Sequence, residues 1–451
     1  MIDVEREMGE APLSRFHLRF AALIGTVLFI DGYDLFNAAY VAPYVKAQWQ
    51  LGAPQVGLML SLGLAGLAAG ALLQGPLADR FGRRRIMLAG VWLLGLASLA
   101  LATLAHDFST FCVLRVALGI ALGMLSPIAF VYINEWAPAS CANRYATMAF
   151  VLPFSLGGIF AGLAGMTLAP TYGWHALYWI GAAAIPIALL CHAVLPESVR
   201  FLAARERWAE VRAILRRLRP DRVGAYGESA TFIAGGAPHD GGSTLATVFD
   251  ARHRTVTLTI WIASALSLFC LHGLTAWLPS ILLREGAAVN TAFGYGSLLM
   301  TMQIVGGLVA GWFADRHGRL PVMAAGFVGG AAALLLLATT IGGSLAFVAV
   351  AAAGFFIFGT QAVMNNYTAV SYATAIRGTA VGMAVAVSRI GGVAGPLLIG
   401  WTQTMPHALW TTLAMLAAAQ AIAALVVASH HARTRRRDAP HVVLPVAGSS
   451  V

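Results

Sequence analysis

The chain has 451 residues, of which 59% are hydrophobic and only 11% charged. An ordinary soluble domain is about 45–50% apolar and about 25% charged, so a mean hydropathy of +0.76 excludes a soluble globular enzyme. The 29 basic residues outnumber the 19 acidic ones for a net charge of +10, which in a soluble protein would suggest nucleic acid; here the placement of the charges decides.

The N-terminal stretch MIDVEREMGEAPLSRFHLR is charged and lacks the apolar core of a signal peptide. Apolar runs then follow at 19–42, 53–75, 86–105, 110–134, 145–168, 174–195, 255–280, 292–313, 320–341, 345–369, 378–401 and 407–429. A membrane-spanning helix needs roughly 20 such residues, so the pattern predicts an all-α membrane protein with twelve transmembrane helices. The runs are too long for strands and lack period-two alternation. Cys112, Cys141, Cys191 and Cys270 show no metal-ligand spacing, so neither a metal, a cofactor nor a disulfide framework is expected.

Twelve spans place both termini on one side. The segments on that side carry 25 of the 29 basic residues, including Arg80 and Arg83–Arg85, the cluster from Arg200 to Arg254, and Arg433 with Arg435–Arg437. The opposite segments carry only Lys46 and Arg284. This split predicts cytoplasmic termini and accounts for the basic excess without nucleic acid.

The turn after the second span reads GPLADRFGRRR, and the turn after the eighth reads GWFADRHGRL. Gly75, Asp79, Arg80, Gly82 and Arg83 match Gly311, Asp315, Arg316, Gly318 and Arg319 at a constant offset of 236 residues. The repeat divides the chain into two six-helix halves of like orientation. The expected organisation is a cytoplasmic tail (1–18), an N-terminal bundle (19–195), a cytoplasmic linker (196–254), a C-terminal bundle (255–429) and a basic tail (430–451). The linker reads as helical at its start and Gly-rich afterwards (GGAPHDGGS).

Ionisable side chains inside spans are costly and mark a cavity or a partner. Asp31 and Asp34 share one face of the first span, with Asn37 a further three residues on. Arg115 in the fourth span lies at a depth matching Asp34, so the two can pair if their helices adjoin. Glu135, twenty residues beyond Arg115, falls at the opposite, cytoplasmic mouth. Arg389 sits mid-way along the eleventh span, followed by Gly391, Gly392, Ala394 and Gly395, and its planar fork suits a carboxylate. A buried structural ion pair remains the alternative for these charges.

The two G-x-x-A-D-R-x-G-R turns resemble the signature of the major facilitator superfamily. DGYD in the first span, NEWAPASCANR ending the fourth, PESVRFL after the sixth, AWLPSIL ending the seventh and YATAIRGTAVG entering the eleventh narrow this. With Arg115 and Arg389, they resemble the aromatic acid:proton symporter family over nearly the whole chain. The resemblance implies a multi-pass transporter of the bacterial inner membrane, with no enzymatic activity, that imports a small organic anion with protons and works as a monomer in the lipid bilayer. It implies that Asp31, Asp34 and Glu135 serve proton coupling and gating, and that Arg115 and Arg389 serve the substrate. Asn37, His272, Asn365, Asn366 and Tyr367 are further binding candidates, with Gln303 and Gln361 behind them. Two departures, Ala373 in place of the family's Pro and the bulky LFNAAY after DGYD, fall on the expected cavity lining and leave room for an atypical substrate.

Other readings are weaker. A sugar porter would carry paired glutamines in the seventh span, a phosphate symporter a GGDYPLS-like fourth span, and a drug antiporter a Gly-Pro step in the fifth; the sequence has none of these. A membrane enzyme would need a catalytic motif the chain lacks, and a non-transporting sensor would fail to take up solute.

Overall fold

The structure, a computed structural model, describes residues 1–228, 230–233, 248–250 and 253–438. The glycine-rich stretch of the linker and the last residues of the basic tail lie outside them. The long helices are α2 (Arg15–Gln48), α3 (Ala53–Phe81), α4 (Arg83–Leu104), α5 (Phe108–Trp136), α6 (Arg144–Thr167) and α7 (His175–Val194) in the first half. In the second half they are α10 (Arg254–Arg284), α11 (Val289–His317), α12 (Arg319–Thr340), α13 (Leu345–Val370), α14 (Thr374–Thr402) and α15 (Ala408–Asp438). Two short helices, α8 (Val199–Ala204) and α9 (Trp208–Leu218), stand between the halves, and α1 (Val4–Gly9) precedes them all.

Among the described residues, eleven helices are long and apolar enough to cross a membrane. The helix outside that set is α2, which carries Asp31 and Asp34 at its centre. Helices outrun the apolar runs because backbone hydrogen bonds continue into water once the apolar stretch has nucleated them. α2 begins at Arg15 and ends at Gln48, well beyond the expected 19–42. α15 likewise continues through Arg433 and Arg435, where a tail was expected. α6 contains a π-helical turn at Thr147–Val151.

The pseudo-repeat appears in the packing. α3 and α5 cross so closely that a Cβ on Gly66 or Gly70 would strike the carbonyls of Val116 or Ile120. α11 and α13 repeat the contact, with Gly306 against the backbone of Phe355. α2 with α6 and α10 with α14 form the matching second pair, through Gly32 on Phe154 and Gly391 on Ala265. Lipid offers no hydrophobic drive between apolar helices, so such backbone approach supplies the van der Waals contact that holds them together.

The halves meet on the arginine-poor side. Gly57 of α3 lies on the Pro396 and Gly400 backbone of α14, and Ser61 Oγ donates to the Val393 carbonyl at 2.7 Å. α6 meets α11 through Ser297 Oγ, which donates to the Ile159 carbonyl at 3.1 Å, and the Tyr40 and Phe293 rings stand 5.1 Å apart. On the arginine-rich side, a Cβ added to Gly378 or Gly382 of α14 would meet open space.

The N-terminal segment is not free. Strand β1 (Ile2–Asp3) pairs in parallel with β2 (Phe232–Ile233) of the linker, a small exception to the all-α expectation. Glu7 is buried, 4% exposed, and accepts from Arg222 Nη1 and the Tyr226 hydroxyl, both at 2.6 Å. Gly9 accepts from the Ala139 backbone amide at the end of α5. Nearby, hydrogen bonds from Arg219 hold the Asp221 carboxyl below its ordinary range. Removing one member of a buried ion pair costs ~3 kcal/mol or more. Glu7→Ala is therefore expected to raise amide hydrogen exchange at residues 1–11 and at β2, while the long helices keep their protection.

Candidate transport site

Three features build the site: the aspartates of α2, the two buried arginines, and the turn motifs at the arginine-rich ends. Asp31, 1% exposed, accepts a hydrogen bond from Ser126 Oγ of α5; Asp34, fully buried, accepts from Ser98 Oγ of α4 at 2.9 Å. Each carboxylate thus keeps one oxygen bonded. The second oxygens have no hydrogen-bond partner among the described residues. Buried polar groups are nearly always satisfied, so such exceptions mark places where water, ion or ligand enters. Asn37, also fully buried, has neither end of its amide bonded among the described residues.

Arg115 lies within Coulombic reach of Asp34, as the matching depths suggest, yet the two form no ion pair among the described residues. Its guanidinium instead packs against Gly63, where any side chain would displace it, and beside Tyr178. Asp34 is held by Ser98 at that distance, so the pairing expected from depth becomes a longer-range interaction. Arg389, fifteen residues into α14, faces Asp31 and His272 within Coulombic reach. Its Nε has no partner among the described residues. Asp31 belongs to the first half and Arg389 to the second, so opposite charges confront each other across the interface near mid-depth.

His272 and Arg115 share a central cavity of about 30 Å³ with Leu35, Phe36, Leu60 and Thr275. That holds a water or two, and no aromatic ring. A bound ring therefore requires the side chains here to part.

Asn365, Asn366 and Tyr367 do not join this group. They stand at the arginine-rich end of α13, within about 9 Å of its last residue along the axis. There Asn365 accepts from Gln361, Asn366 accepts from Arg319 Nε at 2.9 Å, and the Tyr367 hydroxyl meets His430 Nε2 at 3.0 Å. Their amide oxygens and the hydroxyl are engaged by neighbouring side chains.

The first turn motif is wired tightly. Gly82 has φ +96°, a left-handed conformation that suits glycine. Arg83 reaches Asp79 at 3.2 Å and Glu135 at 3.4 Å. Glu197, just past α7, accepts from the Arg84 backbone amide at 3.0 Å and so caps the start of α4. Arg205 of the linker donates to the Arg80 carbonyl at 3.0 Å. In the second copy Gly318 has φ +87° and Arg316 stacks over Trp312, 3.8 Å from its centroid. The sequence alone marks out neither Ser98 nor Ser126, and it gives Glu197 only within the PESVRFL motif. The only signal for the serines is a hydroxyl in an apolar span, which is common.

A family model described as Major Facilitator Superfamily matches residues 22–396 and 295–447. The chain belongs to the Major Facilitator Superfamily. This facilitator is a multi-pass membrane transporter and not an enzyme. It is 31% identical to the gallate transporter of Pseudomonas putida over 97% of both chains. It is 30% identical to the 4-hydroxybenzoate transporter PcaK of the same organism, over 89% of this chain and 90% of that one. The fold is similar to that of the xylose transporter XylE from E. coli, solved in a partially occluded inward open conformation. The TM-score is 0.72 at 16% identity, covering 97% of this chain and 100% of that one.

Proposed function

We propose that this facilitator imports a small aromatic or related carboxylate together with protons across the bacterial inner membrane. The observation that carries the reading is Asp31 facing Arg389 across the two halves, each with a polar atom unpartnered among the described residues. The names of the relatives, gallate and 4-hydroxybenzoate transporters, supply the substrate class.

The coupling follows from charge. A substrate carboxylate that engages Arg389 takes away the cation facing Asp31. A buried carboxylate left without its counter-charge is costly, and a proton neutralises it. Anion and proton thus favour each other's binding, which is the thermodynamic requirement for symport. Asp34 beside Arg115 offers a second acid–base pair at the neighbouring position, and His272 lies within Coulombic reach of Arg389 and lines the cavity with Arg115.

In this reading α2 is the first of twelve spans, because its aspartates face the protein interior rather than lipid. The arginine-rich face is cytoplasmic, as the positive-inside bias requires, and residues 19–195 and 255–429 are the two bundles that rock about the site, joined by the linker 196–254. The contacts through Gly57, Ser61 and Ser297 then close the outer side, so the conformation described is inward-facing. Glu135 with Arg83 ties α5 to the first turn motif at the inner end and steadies that conformation. One copy of the chain suffices, since both halves of the site are in it.

Proteoliposomes with an imposed pH gradient, alkaline inside, test the reading. Radiolabelled 4-hydroxybenzoate or gallate is expected to accumulate, and a protonophore to reduce accumulation about tenfold or more. Uptake indifferent to the gradient overturns the proton coupling; no uptake of any aromatic acid overturns the substrate class.

A further inference from the structure

The pseudo-repeat allows one half to be compared with the other at the starts of α4 and α12. In the first half the helix begins after Gly82, and its exposed backbone amides are capped by the Glu197 carboxylate. In the second half the helix begins after Gly318 with the same left-handed turn, and among the described residues no side chain bonds its first amides. Where the first half holds a carboxylate, the second half holds a pocket of about 1190 Å³.

Its lining is basic, with two arginines and four histidines. His253, His317, Arg319, His430, His431 and Arg433 border it, and no carboxylate does among its lining residues. The nearest acid in sequence, Asp315, borders an adjoining cleft between α11 and α13. Two further helix starts reach the pocket, those of α10 after His253 and α14 after Ala373. The positive ends of three helix dipoles thus come to one place. His430 is 6% exposed and its Nε2 meets the Tyr367 hydroxyl, while its Nδ1 has no partner among the described residues; the Nδ1 of His253 is likewise unpartnered.

Two arginines and the positive ends of three helix dipoles facing one pocket, with no carboxylate in its lining, suit an anion. We infer that the pocket binds a phosphate oxyanion, which takes in the second half the place that Glu197 fills in the first. A multiply charged phosphate suits several imidazoles, an arginine fork and helix N-termini better than a single carboxylate does. Two sources share this chemistry. Inorganic phosphate enters from the arginine-rich face, and the headgroup of an acidic phospholipid enters from the bilayer beside α12 and α15.

The test uses the full chain, purified in detergent and in nanodiscs. Inorganic phosphate, compared with chloride at equal ionic strength, is expected to raise the melting temperature saturably by about 4 °C. His431→Gln and Arg433→Gln should each weaken phosphate binding by calorimetry about tenfold, with the untreated melting temperature nearly unchanged. Arg435→Gln, outside the lining, should leave it unaltered. Phosphatidylglycerol nanodiscs, compared with phosphatidylcholine, separate the sources: protection by the lipid that persists without free phosphate assigns the headgroup, and protection by free phosphate alone assigns the soluble anion. No protection from either source overturns the inference. So does an equal loss in the Arg435 variant, which would show mere surface screening.

Discussion

Arg389→Ala is expected to lower uptake of the aromatic anion about a hundredfold, measured per molecule of folded transporter. Charge-assisted hydrogen bonds contribute about 1.5–3 kcal/mol each, and the guanidinium has an unpartnered Nε to offer. Lysine keeps the charge and loses the fork, so Arg389→Lys should fall between, about tenfold down. Substrate affinity read from a ligand-induced melting shift separates binding from turnover: both variants should need more ligand for the same shift. An alanine variant with undiminished affinity would show that Arg389 is a structural partner of Asp31 alone.

The second large effect concerns the proton. Asp31→Asn replaces the carboxylate with a neutral isostere that keeps an oxygen for the Ser126 hydroxyl. It resembles a permanently protonated site. Net uptake driven by a pH gradient should fall about a hundredfold, because a neutral group there cannot release a proton on the inner side. Exchange of labelled for unlabelled substrate needs no such release and should persist within a few-fold of the parent. Loss of exchange together with net uptake would assign Asp31 to substrate binding or to folding instead. Asp34→Asn, measured in the same two assays, identifies which aspartate carries the proton.

Much of this architecture is legible in the sequence, because hydrocarbon imposes a simple rule on it. A run of about 20 apolar residues announces a helix, and twelve such runs match the long helices of the structure to within a few residues at most ends. The repeat at offset 236 is legible because a left-handed turn demands glycine at both Gly82 and Gly318. The depth argument that placed Asp34 level with Arg115 holds as a longer-range interaction. What depth along a helix cannot supply is rotation about its axis and the identity of the facing helix. Ser98 and Ser126 lie 64 and 95 residues from the aspartates they bond, and nothing local distinguishes them from other small residues in spans. The same gap explains Asn365, Asn366 and Tyr367. They read as intramembrane polar groups, while Asn366 and Tyr367 find their partners Arg319 and His430 on helices distant in sequence. The N-terminal segment escaped notice for a related reason, since Glu7 finds Arg222 only after the linker has folded back.

The contact between the halves on the arginine-poor side is made largely of main chain: Gly57 against the Pro396 and Gly400 backbone, and a serine hydroxyl on a carbonyl. A seal of this kind is blind to what passes it. With Arg389 and His272 holding the cargo as proposed, selectivity and closure would be carried by separate sets of residues, and side chains around them could be exchanged without redesigning the barrier. A lineage built on this plan is free to diversify its diet while inheriting its door.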